Sequence, residues 1–143
     1  MRYIQLSLVF VFVLIVGCKD GGPPTAPVSG VVTYEGEPVQ HAKVMFFPQG
    51  IPEALTGFAQ TDEEGRFSEV ISGTKKGAFV GHNFVTVTEE WPPGVEIPES
   101  PDGMQKEPPR GPWAQKYRDS TNPALKVDVV ADGENYFEFE ISE

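Results

Sequence analysis

The sequence predicts an all-β fold, a sandwich of two packed sheets, on three observations. Short apolar runs, alternating or β-branched, recur over residues 28 to 143, and each is closed by turn chemistry. The chain carries 14 prolines and 15 glycines, a load that suits turns and works against long helices. No window of about 12 residues shows the 3.6-residue apolar period of an amphipathic helix.

Seven strands are expected. VSGVVTY (28–34) is followed by Glu35-Gly36-Glu37-Pro38, where Gly36 can take φ > 0 and Pro38 cannot donate to a ladder. AKVMFFP (42–48) is an apolar run ended by proline. LTGFAQT (55–61) meets Asp62-Glu63-Glu64-Gly65, a four-residue hairpin connection to RFSEVI (66–71), which turns Phe67 and either Val70 or Ile71 inward. The Gly-rich SGTKKGAFVG leads to HNFVTVTEE (82–90), rich in β-branched residues. ALKVDVV (124–130) sets Leu125, Val127 and Val129 against Lys126 and Asp128. After the turn at Ala131-Asp132-Gly133-Glu134, NYFEFEIS (135–142) sets Phe137, Phe139 and Ile141 against Glu138 and Glu140. The expected core is Val44, Phe46, Phe67, Val85, Val87, Leu125, Val127, Phe137, Phe139 and Ile141.

The N-terminus reads differently. Arg2 precedes an apolar run from Tyr3 to Val16, then Gly17 and the single cysteine of the chain, Cys18. This is the layout of a secretory signal peptide over residues 1–17. The run is shorter than the roughly 20 apolar residues a spanning helix needs, and Cys18-Lys19-Asp20-Gly21-Gly22 ends it abruptly. One cysteine excludes a disulfide within the chain. Residues 18–27 contain three prolines and two glycines without apolar period, so they read as a flexible tether, with the β-sandwich domain over residues 28–143. The nine residues Lys19–Pro27 would reach about 30 Å fully extended.

The formal charge is −10 with no basic cluster, which makes nucleic acid a poor partner and suits solubility. Between the fifth and sixth strands, residues 91–115 hold seven prolines and three glycines, hence a long loop. Loops longer than about 12 to 15 residues are commonly functional or disordered. Both tryptophans, Trp91 and Trp113, stand at its ends. Together with Tyr117 and Arg118 they are the expected contact surface, while the tryptophans could equally staple the loop to the sandwich rim.

Ile15-Val16-Gly17-Cys18 resembles the bacterial lipobox, which implies cleavage before Cys18 and lipidation of its thiol. A thiolate is the nucleophile that thioether formation requires, and two or more acyl chains anchor a protein stably. SGVVTYEGEPVQHAKVMFFP (29–48) followed by GFAQTDEEGRFS (57–68) resembles bacterial carboxypeptidase regulatory-like domains. The matching elements are Gly30-Val31-Val32, Gly36-Glu37-Pro38-Val39, Ala42-Lys43-Val44, Thr61-Asp62 and Gly65-Arg66-Phe67. That resemblance implies a transthyretin-like, seven-stranded Greek-key sandwich in a lipoprotein anchored to a bacterial membrane, expected to be the outer one. Domains of this kind are structural or binding modules, so the expectation is no enzyme and no cofactor, with the membrane and a protein or glycan as partners.

The enzymatic alternative rests on Tyr117-Arg118-Asp119-Ser120, similar to the Tyr-Arg-Gly-Ser ending of the transthyretin-related hydroxyisourate hydrolase. Here glycine is replaced by Asp119 and the motif lies well before the C-terminus. That enzyme also needs histidines near its arginine, and His41 and His82 lie outside matching motifs. Tyr117 and Arg118 are instead expected to fix the chain before the sixth strand, the ring on the sandwich edge and the guanidinium on a carboxylate or carbonyl. Asp62-Glu63-Glu64 and Asp132 with Glu134 lack EF-hand spacing, so no metal is expected. Ser72-Gly73-Thr74-Lys75-Lys76-Gly77 lacks phosphate-loop spacing, and no Gly-x-Ser-x-Gly elbow occurs.

Overall fold

The computed structural model describes residues 21–143. The expected signal peptide and Cys18 lie outside the described residues. The strands are β1 (Thr25–Ala26), β2 (Ser29–Tyr34), β3 (Glu37–Pro38), β4 (Ala42–Pro48), β5 (Gly57–Gln60), β6 (Arg66–Phe67), β7 (Ile71–Ser72), β8 (Lys75–Lys76), β9 (Ala78–Phe79), β10 (Gly81–Glu89), β11 (Leu125–Val129) and β12 (Tyr136–Ile141). A 3₁₀ turn covers Gln115–Tyr117. The described residues are therefore all-β, as expected.

One sheet runs β11-β10-β4-β5-β7-β8. The second places β12 in parallel on one side of β2, with β3 and β6 antiparallel on the other. β1 and β9 form a separate two-stranded sheet. Alternation does what it must: Val44 and Phe46 of β4 and Val85 and Val87 of β10 are fully buried against Val32 of β2 and Phe139 and Ile141 of β12. Phe67 stacks on Phe139 at 5.9 Å and tilts against Phe46 at 6.1 Å, joining the two sheets. Aromatic pairs at such separations add to their area burial. Close approach sets Gly30, where a Cβ would meet the Phe137 carbonyl and come 2.7 Å from the Phe67 ring. Of the expected core, only Leu125 and Phe137 are half-buried, packed on the rim of the cluster.

Three expectations change. The seven expected runs all contain strand, but twelve strands are present among the described residues, because pairing also picks out two-residue segments that have no sequence period. RFSEVI is two strands in different sheets: β6 pairs with β2, and β7 pairs with β5. Alternation reports one buried face and cannot tell which sheet supplies it. The break falls at Glu69, whose φ of 53° ends the extended run. Asp62–Gly65 is accordingly a crossing between sheets and not a hairpin. Its turn is closed by Asp62, whose Oδ1 accepts from the N–H groups of Glu64 and Arg66 at 3.0 and 2.8 Å.

Within the expected tether of residues 18–27, Pro23 to Ala26 are packed on the domain. The Pro23 carbonyl accepts from Lys75 Nζ at 3.0 Å and the Pro24 carbonyl from the Val80 N–H at 3.0 Å. Ala26 is buried in β1. A proline-rich stretch leaves its carbonyls unpaired, and a distant partner that composition cannot reveal has taken them. Gly77, at φ 96°, allows the approach, since a Cβ there would strike the Ala26 backbone.

Candidate functional site

β10 delivers a carboxylate to the core side of the sandwich. Val85, Val87 and Glu89 share one face by the two-residue period, so Glu89 follows two fully buried valines. Arg118 meets it at the exit of the 3₁₀ turn. Arg118 Nε lies 3.1 Å from Glu89 Oε2 and 3.2 Å from Oε1, and Nη2 also donates to Oε1. The remaining donors serve carbonyls, Nη1 to Trp113 at 2.5 Å and Nη2 to Gly111 at 3.0 Å. The two side chains are 11% and 12% exposed. Burial pushes the Glu89 carboxyl up, but hydrogen bonds from Arg118 and the Gly111 N–H outweigh it and hold the group below the usual carboxylate range.

Around this pair the loop is stapled. Trp113 is buried, donates its indole N–H to the Val87 carbonyl at 3.2 Å, and carries the Arg118 guanidinium 5.0 Å from its ring. Tyr117 is buried with its hydroxyl 3.3 Å from Ser142 Oγ, and the Ala114 N–H reaches the Ser142 carbonyl at 3.0 Å. At the other end, the Trp91 carbonyl accepts from Gln60 Nε2 at 2.9 Å, and Trp91 Nε1 donates to Lys106 at 3.1 Å. The loop closes on itself through the Glu99 to Gln105 bridge.

Stapling shapes an open groove of about 630 Å³ between the loop and the outer side of β4, β5 and β7. Phe58, 48% exposed, and the half-buried Trp91 supply aromatic faces, with Ile71, Val95 and Ile97 beside them. Lys43 pairs with Glu90 at 3.2 Å and lies 5.4 Å from the Phe58 ring centre. Arg66 and Glu69 bring opposite charges to the same groove. With Asp62 also in the lining, three carboxylates stand against two cations, a small negative excess inside a strongly acidic chain.

The four residues expected to form a contact surface thus divide. Trp91 lines the groove, whereas Trp113 and Tyr117 are interior and every Arg118 nitrogen is committed. Ring size and a chain leaving a long loop make these three good anchors, which is why they are buried. His41 lines a second cavity of about 410 Å³ with Glu89, Trp91 and Trp113, and Arg118 is absent from that lining. His82 contacts Asp128 at 2.9 Å, seven positions before Glu89 on β10, hence about 23 Å away along the strand. Among the described residues no three His, Cys, Asp or Glu side chains converge as a metal site.

Sequence reasoning missed Glu89 and the groove residues Phe58 and Lys43. A signal for Glu89 was present, since a carboxylate in phase with Val85 and Val87 requires a partner. Phe58 gave none, because LTGFAQT does not reveal which of its faces the fold covers.

No family model matches the sequence, and no curated protein matches it. Among solved structures the chain is similar to a DUF3823 family protein from Parabacteroides merdae ATCC 43184, at 18% identity and a TM-score of 0.45. The match covers 83% of this chain and 46% of that one, so the chain spans less than half the length of its structural neighbour.

Proposed function

We propose that this chain is a lipid-anchored, non-catalytic binding module of the bacterial cell envelope, built as a transthyretin-like, carboxypeptidase regulatory-like Greek-key sandwich. The observation that carries the reading is the division of labour around the loop. The polar constellation that invites an enzymatic reading is consumed in holding the loop, and what faces solvent is a groove with aromatic walls and charges of both signs. A groove of that kind suits an uncharged partner with both apolar and polar faces, such as a glycan or a peptide segment. Cys18 carries the anchor, on the strength of its lipobox context.

Two measurements test this. Cys18→Ala is expected to remain uncleaved or to leave the membrane fraction, and a cleaved, membrane-bound variant in normal amount would refute the anchor. Purified protein is expected to show no turnover of hydroxyisourate or of simple ester and amide substrates. Metal-independent hydrolysis lost in a folded Arg118→Ala variant would establish the hydrolase instead.

A further inference from the structure

Among the described residues, one flank of the sandwich leaves two strand edges open. β11 ends the six-stranded sheet and β12 ends the smaller one. Between them lies a cleft of about 510 Å³ lined by Leu125, Val127, Tyr136, Phe137 and Phe139. Tyr136 is 47% exposed, and Leu125 and Phe137 are half-buried. A free edge with apolar side chains beside it is a template for another strand, and edge charges normally protect it. β12 is protected in this way, with Glu138 and Glu140 both exposed. β11 is different, because its exposed residues, Lys126 and Asp128, have opposite sign and lie two positions apart.

We propose that the chain forms a two-fold dimer through antiparallel pairing of β11 with β11 of a second copy, centred on Val127. In that register Lys126 of each copy faces Asp128 of the other, and Leu125 faces Val129. Moving the centre to Lys126 or Asp128 sets that residue against itself, and like charges directly opposite destabilise a pair. The same operation on β12, centred on Phe139, sets Glu138 against Glu140 twice. Pairing β11 antiparallel with β12 of a copy so that Lys126 meets Glu140 sets Asp128 against Glu138, and attraction at one position is offset by repulsion at the next. Charge complementarity therefore favours the β11 edge and, among centres from Lys126 to Asp128, the Val127 register.

The side chains are already placed for it. The Lys126 ammonium lies 5.4 Å from the Phe84 ring centre, and Asp128 Oδ1 lies 2.9 Å from His82 Nδ1. Both contacts are with β10, so both charges stand on the outer face of the sheet. Asp128 Oδ2 has no hydrogen-bond partner among the described residues, and its side chain is 78% exposed. On the inner face the added strand would extend the sheet alongside the cleft and cover Leu125 and Val127. Repulsion between two acidic copies acts at longer range and is screened beyond about 8 Å at physiological ionic strength.

The test is the mass of the full chain in mild detergent, by sedimentation with the detergent contribution subtracted. Wild type is expected to be dimeric, and Lys126→Asp and Asp128→Lys are each expected to shift to monomer while keeping the wild-type circular dichroism spectrum. An equal mixture of the two variants is expected to return to dimer, because an acidic edge then meets a basic one. The double variant Lys126→Asp with Asp128→Lys should also dimerise. A monomeric wild type, a dimer that survives in the single variants, or a mixture that stays monomeric overturns the proposal.

Discussion

Glu89 and Arg118 are the residues on which the loop end of the molecule depends. Removing one partner of an ion pair this shielded leaves the other charge buried alone, so Arg118→Ala is expected to cost about 3 to 5 kcal/mol in denaturant unfolding. The pair also has a pH signature. The Glu89 carboxyl is held below its ordinary value of about 4.3, so its contribution is complete above that value and fades as pH falls through the lower folded-state value. Wild type should therefore exceed Glu89→Gln in stability at neutral pH, and the gap should narrow below about pH 4. A gap unchanged at low pH would mean that Glu89 is not held as an ion. At this scale the sequence was partly legible: Arg118 could be read as seeking a carboxylate, but its partner lies 29 positions earlier in the chain, and local pattern carries no such distance.

The Pro-rich segment is the element that sequence reading describes least well. Composition marks it as irregular, which it is, yet irregular backbone still has its polar groups satisfied. The Glu99 to Gln105 bridge, Lys106 donating to Pro98, and Trp113 on Val87 make it a folded flap. Trp113→Ala is expected to lose about 3 to 5 kcal/mol, the range for truncating a large buried aromatic. Limited proteolysis should then cut within residues 92–112 faster than in wild type. Unchanged cutting would show that the remaining contacts hold the flap without the indole. The strands were easier, since β4, β10 and β12 each expose a clear apolar face. β6 and β7 were not, because two residues carry no period and the left-handed turn at Glu69 has no glycine to announce it.

Across the whole molecule, the long strand β10 separates two ends. Its first residue follows β9 closely, next to Pro23 and Pro24, while its last leads into Trp91 and the flap. The strand's nine residues span about 27 Å from first to last. An anchor at Cys18, a few residues before Pro23, would hold the first end at the membrane and turn the flap end outward. The six-stranded sheet was legible only as strands, because the order β11-β10-β4-β5-β7-β8 depends on partners up to 48 residues away in the chain, as for Gly81 and Val129, which alternation does not encode.

The central claim, that the groove is where this molecule meets its partner, is tested most directly by photo-crosslinking in intact cells. A benzophenone amino acid is placed at Phe58 in the groove, and, as a control, at Leu55, which is 57% exposed beside the β7–β8 turn. A discrete adduct is expected from position 58, none from position 55, and loss of the adduct when Trp91→Ala is added. Equal adducts from both positions, or an adduct at position 58 indifferent to Trp91→Ala, would contradict it.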